Sequence, residues 1–269
     1  MKLSISNIIW EKGIENLETF FHLVSKQGLS HVELALNCFW EEPVEASQKK
    51  ISQLKDLLNK YQLNIASLHS LTFTREDLEL FGTKVKRKEL SDYLKRYLDL
   101  SHELDVPNIV YGSPKSRKRN GLSVDKCNQI FLDFLGDLDS YKGETNINIE
   151  PLPKSYCEYL NTFIETVQLL KNRDWKNIFI QLDVRSIIES QENIKEIFSY
   201  HEYIKHCHVG DPGLRTPGLE FKDIHQTIRN ELANCDYKGV FTAEVIAENP
   251  NNRLKESIYC INRLKEYYY

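Results

Sequence analysis

The chain alternates short runs that are typical of buried β-strands with longer amphipathic stretches that are typical of helices, and it repeats this unit eight times. Apolar residues recur at intervals of three and four in the longer stretches, as they do on one face of a helix. We therefore predict eight strands. They are Lys2–Ser6, His31–Ala35, Asn64–Leu68, Asn108–Tyr111, Asn146–Glu150, Ile178–Asp183, His206–Val209 and Phe241–Val245.

Repeated strand–helix units predict a parallel sheet, which is either a closed barrel or a doubly wound open sheet. The count of eight units and the length of 269 residues favour the (β/α)8 TIM barrel, for which about 250 residues are typical. No linker or low-complexity tract divides the sequence, so we predict one α/β barrel domain over residues 1–269.

Composition and charge restrict the class of partner. A hydrophobic content of 41% is enough for a sizeable core, and a formal net charge of -4 argues against nucleic acid. The six cysteines form no Cys-x-x-Cys pair, and no apolar run approaches membrane-spanning length. We expect a cytoplasmic protein with reduced thiols that does not bind a membrane.

One acidic or imidazole side chain lies at the end of each of the last four predicted strands: Glu150, Asp183, His208 and Glu244. In a parallel barrel these strand ends meet on one rim, where barrel enzymes carry their chemistry. Several buried acids in one place need a cation. Three carboxylates and an imidazole suit one divalent metal ion, Mn²⁺, Mg²⁺ or Co²⁺, with Zn²⁺ as a further option.

Such an ion could hold two adjacent oxygens of a sugar or hydroxy-ketone, polarise the carbonyl and stabilise an enediolate. A carboxylate beside it could then remove the proton next to that carbonyl, and another could return it. The alternative is a network of paired charges without metal, in which Arg185 or Arg215 neutralises the acids.

Three more residues are candidates for substrate binding. Glu33 ends the second strand, and an internal ion pair is the alternative for it. His69 follows the third strand. Besides binding substrate, it could be a ligand of a second metal ion or a structural histidine held by hydrogen bonds. Arg215 lies in the turn-rich loop beyond His208 and could hold a substrate oxygen or phosphate, unless it is exposed to solvent. His206, deeper on the face of His208, is expected to be a supporting or core residue.

Several motifs resemble those of the xylose-isomerase-like barrels, and within them the sugar phosphate isomerase/epimerase group. They are Ile149-Glu-Pro-Leu-Pro153, Gln181-Leu-Asp183, Cys207-His-Val-Gly-Asp211 and Thr242-Ala-Glu244. The resemblance implies that Glu150, Asp183, His208 and Glu244 bind one divalent metal ion. It further implies that Glu150 and Glu244 are the catalytic acid/base pair, acting from opposite sides of the substrate.

The activity implied is a metal-dependent sugar or sugar phosphate isomerase or epimerase. Many epimerases of the group carry a substrate-positioning histidine where Ser186 stands here, which argues against an ordinary ketose 3-epimerase. There are three alternatives: a metal-dependent polyol dehydratase, an endonuclease IV-like phosphodiesterase, and a barrel that only binds sugar. His69 matches the histidine pattern of the phosphodiesterases, whereas Ser186 does not. The expected partner is a small-molecule sugar or sugar phosphate, and a homo-oligomer stays open.

Overall fold

Eight parallel strands close into a barrel in the order of the chain, and the eighth strand pairs with the first. This computed structural model describes residues 2–10 and 14–269. The strands are β1 (Lys2–Ser6), β2 (His31–Leu34), β3 (Asn64–Leu68), β4 (Asn108–Tyr111), β5 (Asn146–Ile149), β6 (Ile178–Asp183), β7 (Ile204–Val209) and β8 (Val240–Ala243). The predicted (β/α)8 TIM barrel is confirmed, and the strand ends agree with the prediction to within two residues.

Helices alternate with the strands and pack around the barrel. They are α1 (Ile14–Lys26), α2 (Gln48–Tyr61), α3 (Lys84–Glu103), α4 (Val124–Asp139), α5 (Phe163–Leu170), α6 (Val184–Glu189), α7 (Ile194–Phe198), α8 (Lys222–Asn234) and α9 (Arg253–Tyr268). Among the helices in the described part of the chain, none has the length and the apolar character that crossing a membrane requires.

Side-chain caps fix where several helices begin. The hydroxyl groups of Ser47, Thr83, Ser123 and Thr162 accept hydrogen bonds from backbone amides in the first turns of α2, α3, α4 and α5. These bonds satisfy amide groups that have no partner within the helix. Gly28 follows α1 with φ of +73°, the left-handed conformation that commonly ends a helix. Local sequence therefore sets the lengths of the strand–helix units.

Alternation along the strands gives the barrel a polar interior. In β5, Ile147 and Ile149 belong to the apolar core, whereas Asn148 between them is buried and hydrogen bonds to β4. Ser67 Oγ of β3 lies 3.2 Å from His206 Nε2 of β7. Because β3 and β7 are on opposite sides of an eight-stranded barrel, this contact crosses the interior. The apolar core lies between barrel and helices, and polar side chains fill the centre.

Two irregularities in strand pairing lie at the level of these polar side chains. The register shifts between Val32 and Glu33 in the pairing of β2 with β3, and between Ile180 and Gln181 in the pairing of β6 with β7. Gln181 is the register partner of His206. A shift of this kind re-aims the side chains that follow it, and here it accompanies the convergence of Glu33 and His206 inside the barrel.

Candidate active site

The structure brings the four predicted ligands to one rim of the barrel, and we call Glu150, Asp183, His208 and Glu244 the rim cluster. Glu150 and Glu244 directly follow β5 and β8, Asp183 ends β6, and His208 lies one residue before the end of β7. Ligand atoms of Glu150, His208 and Glu244 all lie within 4.8 Å of one another. These three residues are close enough to share a metal ion.

Asp183 is bound mainly by the start of α6. Its Oδ1 accepts a hydrogen bond from Arg185 N at 2.9 Å, and its Oδ2 accepts one from Ser186 Oγ at 2.9 Å and one from Arg185 Nη2 at 3.0 Å. Both carboxylate oxygens of Asp183 are therefore already engaged by the chain that follows β6.

Arg185 is the cation of the rim cluster. Its side chain is 9% exposed, and its Nη2 lies 3.0 Å from Asp183 Oδ2, 3.7 Å from Glu150 Oε1 and 3.9 Å from Glu244 Oε2. Burial lowers the pKa of Arg185, but these three carboxylates outweigh it and raise the pKa above the ordinary value. The sequence left open a network of paired charges in which Arg185 or Arg215 neutralises the acids. In the structure, Arg185 makes these ion pairs.

The pKa values of Glu150 and Glu244 are shifted in opposite directions. Burial, with repulsion from Glu244 and Asp183, raises the pKa of Glu150 to about 7. Burial also raises the pKa of Glu244, but the charge of His208 and hydrogen bonds from His208 and His69 outweigh this, so the pKa of Glu244 lies well below 4.5. Paired carboxyl groups whose pKa values diverge in this way are suited to act as an acid and a base.

The loop after β4 makes room for Glu150. A Cβ atom on Gly112 would overlap Glu150 Oε2, so only glycine lets the carboxylate take this position. The fully buried Arg117 donates a hydrogen bond from Nη2 to the backbone oxygen of Glu150 at 2.9 Å. Sequence reasoning missed the role of Gly112, although a glycine immediately after a strand was visible as a signal.

A second group of polar side chains, which we call the inner cluster, extends from inside the barrel up to the rim: Glu33, Ser67, His69 and His206. Of these four, His69 follows β3 and also lines the cavity. Glu33 Oε1 accepts hydrogen bonds from His206 Nε2 and His208 Nε2, both at 2.8 Å, and from Ser67 Oγ. Burial raises the pKa of Glu33, but the charges of His208 and His69 and hydrogen bonds from His206 and His208 lower it well below 4.5.

Glu33, His69 and His208 also come within 4.8 Å of one another and so form a second possible group of metal ligands. However, His208 Nε2 already donates to Glu33 Oε1, and His69 Nε2 lies 2.7 Å from Ser6 Oγ. Both ring nitrogens that face this group are thus occupied within the protein. The inner cluster is better described as a hydrogen-bonded support than as a metal site.

His208 joins the two clusters. Its Nε2 donates to Glu33, whereas its Nδ1 lies 3.3 Å from Glu244 Oε2 on the rim side. A histidine that binds metal through one ring nitrogen usually donates its other N–H to a carboxylate. Burial lowers the pKa of His208, but Glu33 and Glu244 raise it well above 6.5, so the two carboxylates favour a positive charge on this side chain. The donor set therefore fits a divalent metal ion.

A cavity of about 310 Å³ opens above the rim cluster, within the range of small-ligand pockets. Phe73 and Tyr156 are 68% and 51% exposed, and their rings contribute apolar surface to the wall. Such rings pack well against the apolar face of a small polar molecule. Six of the lining residues are His69, Phe73, Glu150, Tyr156, Arg185 and Glu244.

Three residues on the pocket wall have left-handed backbone although they are not glycine. Ser70, Ser113 and Leu214 have φ values of 55°, 45° and 56°. Non-glycine residues in this region are costly by about 1 kcal/mol or more and gather at functional sites. Their positions in the loops after β3, β4 and β7 support the assignment of this cavity as the functional one.

The three candidates for substrate binding have different locations. His69 lines the cavity, and its Nδ1 lies 3.2 Å from Glu244 Oε1. Glu33 has no exposed surface, so the structure gives it the internal ion pair that was the alternative to substrate contact. Arg215 donates to Glu220 at 2.8 Å and to the oxygen of Pro212 at 2.9 Å, and its neighbour Leu214 lines the cavity instead.

Residues 21–264 match the family model of the xylose isomerase-like TIM barrel, and the chain belongs to this family. The family resemblance predicted from the motifs is thereby confirmed. A search of curated proteins found no match.

Solved sugar epimerases share the fold at low sequence identity. A D-psicose 3-epimerase structure in the presence of D-fructose has a TM-score of 0.82 and 14% identity, with 99% of each chain covered. D-Psicose 3-epimerase with D-tagatose from Clostridium cellulolyticum H10 has a TM-score of 0.78 and 17% identity, again with 99% of each chain covered. The 3-keto-D-glucoside 4-epimerase from E. coli has a TM-score of 0.78 and 18% identity, over 97% of this chain and 99% of its own.

Proposed function

We propose that this protein is a divalent-metal-dependent isomerase or epimerase of a sugar or sugar phosphate that moves a proton next to a carbonyl group. One observation carries the proposal: two carboxylates with divergent pKa values, Glu150 and Glu244, face a sugar-sized cavity, with the imidazole of His208 between them and the inner cluster. The three similar structures described above are all sugar epimerases, which supports the proposal.

The proposed metal ligands are Glu150, Asp183, His208 and Glu244. When bound, the divalent ion would polarise the substrate carbonyl and stabilise the enediolate that forms when the neighbouring proton leaves. The convergence of Glu150, His208 and Glu244 within 4.8 Å supports three of these ligands. Asp183 Oδ1 accepts one hydrogen bond and Oδ2 accepts two, so Oδ1 keeps a lone pair with which Asp183 could become the fourth ligand.

Glu244 and Glu150 are proposed to move the proton. In the metal-free protein the pKa of Glu244 lies well below 4.5 and that of Glu150 is about 7, so the surroundings of the two carboxyl groups favour a base at Glu244 and an acid at Glu150. Because isomerisation and epimerisation are reversible, the two carboxyl groups exchange roles with the direction of reaction. The inner cluster fixes the ring of His208, and His208 and His69 hold the carboxylate of Glu244 in position.

The phosphodiesterase alternative has weaker structural support. It depends on histidines that bind several metal ions, but His69 contacts Ser6 and Glu244, and Ser186 donates to Asp183. A dehydratase would use the same base and the same metal, so only the product of the reaction separates it from an isomerase.

The test is a substrate screen on protein that has been stripped of metal with a chelator. Free and phosphorylated ketoses are incubated in deuterated water with Mn²⁺, Mg²⁺, Co²⁺ or Zn²⁺ added back singly. We expect metal-dependent uptake of deuterium at the carbon next to the carbonyl, together with the isomeric product. E202Q, a change at an exposed residue before β7, is the matched control and should retain activity.

Failure of every sugar to take up deuterium with every metal would contradict the proposal. Loss of water from the product would instead identify a dehydratase, and cleavage of a phosphodiester without deuterium uptake would identify the nuclease alternative.

A further inference from the structure

The proposed reaction gives no role to Arg185, although its side chain lies among the proposed metal ligands. Arg185 lies two residues after Asp183 in the first turn of α6, and its side chain points back over the rim cluster. A single nitrogen, Nη2, is within 4 Å of acids that follow or end three different strands. A positive charge already lies among the proposed metal ligands.

The electrostatic need for this charge is local. Three carboxylates that are nearly buried repel one another unless a cation is close. Among the residues that the structure describes, Arg185 is the arginine or lysine that makes ion pairs with Glu150, Asp183 and Glu244. His69 and His208 contact Glu244 from below, but neither forms an ion pair with Glu150 or Asp183 in the described chain.

Arg185 and a metal ion would compete for the same oxygen atoms. Asp183 Oδ1 accepts the amide of Arg185, and Oδ2 accepts the guanidinium and the hydroxyl of Ser186. Coordination by Asp183 Oδ2 together with Glu150 and Glu244 would place two cations within a few ångström of each other. The two positive charges would repel each other, and this repulsion drives the guanidinium away from the rim acids when all four rim residues bind the metal.

The ion pairs of Arg185 with the rim acids are concentrated on one nitrogen of the guanidinium, Nη2. Arg185 Nε is buried and makes no hydrogen bond, so Nη2 carries the polar contacts of the side chain described above. The central carbon of the guanidinium lies 5.7 Å from the centre of the Tyr156 ring, on the wall of the cavity. This distance is already within the range of a cation–π contact, which the guanidinium could keep and shorten when it leaves the carboxylates.

We propose that Arg185 is a built-in cation that neutralises the rim acids in the metal-free protein and is displaced towards Tyr156 when a divalent metal ion binds. This inference rests on the metal site of the proposed function. It assigns to Arg185 a positioning role that weakens metal affinity and stabilises the metal-free fold.

The experiment compares R185M with S186A and the wild type, each as the full chain stripped of metal. R185M removes the charge and keeps an apolar stem, whereas S186A removes a neutral hydrogen bond to the same oxygen, Asp183 Oδ2. The dissociation constant for Mn²⁺ is measured from the signal of free Mn²⁺ in electron paramagnetic resonance. The thermal midpoint is measured with and without Mn²⁺.

We expect R185M to bind Mn²⁺ about tenfold more tightly than the wild type, and S186A to stay within about threefold of it. Without metal, R185M should melt at a lower temperature than the wild type, and Mn²⁺ should raise its midpoint by more. Equal or weaker binding by R185M, while the wild type binds Mn²⁺, overturns this inference alone. No Mn²⁺ binding by any of the three proteins overturns both this inference and the metal site.

A measurement on the wild type covers the case in which R185M does not fold. In protein labelled with ¹⁵N-arginine, the Nε–H resonance of Arg185, assigned with R185K, should shift when Mg²⁺ binds, because the guanidinium changes its partners. An unshifted resonance at a Mg²⁺ concentration that calorimetry shows to be saturating would overturn the displacement.

Discussion

The inner cluster and the rim cluster both contain glutamate and histidine and are joined by His208, yet their acids have different surroundings. Inside the barrel, one oxygen of Glu33 accepts three hydrogen bonds, and the pKa of Glu33 is low. On the rim, three carboxylates surround one guanidinium nitrogen, and the pKa of Glu150 rises to about 7. Glu33, whose Oε1 is held by three donors while its Oε2 is buried without a hydrogen-bond partner, supports the structure. The acids of the rim cluster lie next to a cavity and are available for chemistry.

The difference has a cause in the fold. Glu33, Ser67 and His206 of the inner cluster are enclosed by strands, so their hydrogen-bond partners come from within the protein. The rim cluster lies where the strands end and the cavity begins, so its missing partners can be a metal ion and a substrate. Replacing acids by amides in the two clusters should therefore have opposite consequences for activity and stability.

The largest effect is expected from amides on the rim. E150Q and E244Q should each lower the turnover of the deuterium exchange reaction by about 1,000-fold, since each removes a proton-transfer group. The circular dichroism spectrum should stay that of the wild type. Normal turnover in either variant would remove that residue from the catalytic pair, and E202Q again serves as the control.

In the inner cluster the same kind of change should act on stability. E33Q should lower the free energy of unfolding by about 3 kcal/mol, because it takes the negative charge away from the buried His206 and His208. E150Q, measured in the same urea titration without metal, should leave the free energy of unfolding nearly unchanged or raise it, because the substitution relieves repulsion among the rim acids. If E33Q proved no more damaging than E150Q, the distinction between the two clusters would fail.

A smaller effect is expected from pH on the metal-free protein. The pKa of Glu150 in the folded state, about 7, lies above the ordinary 4.5. Its contribution to stability is therefore fully present below pH 4.5 and is lost as the pH rises through about 7. The thermal midpoint of the wild type should fall more steeply between about pH 5 and pH 8 than that of E150Q. Parallel curves for the two proteins would show that the carboxyl group of Glu150 is not perturbed.

The fold and the rim cluster could be predicted because both depend on periodicity. Strands of period two and helices of period 3.6, repeated eight times, define the barrel, and parallel strands put their last residues on one rim. Glu150, Asp183, His208 and Glu244 could be found from their place at strand ends alone. His206 was expected to be a supporting residue because it shares a strand face with His208, and it does hydrogen bond to Glu33.

The remaining features depend on distances that no periodicity encodes. The direction of the Arg185 side chain follows from the way Asp183 caps α6. The contact of Glu33 with His206 joins β2 to β7 across the barrel and accompanies two register shifts. Phe73 and Tyr156 reach the cavity from loops, where spacing in sequence says little about position in space.

The smallest expected effect comes from removing a single hydroxyl group in each of the two clusters. Ser67 Oγ donates to Glu33 Oε1 inside the barrel, and Ser186 Oγ donates to Asp183 Oδ2 on the rim. S67A should lower the free energy of unfolding by about 1 kcal/mol, because it removes one hydrogen bond from an enclosed carboxylate that solvent cannot reach. S186A should cost less, since Arg185 still donates twice to Asp183. Urea titrations of both variants would decide this, and a larger loss for S186A would mean that the rim depends on its hydrogen bonds as much as the interior does.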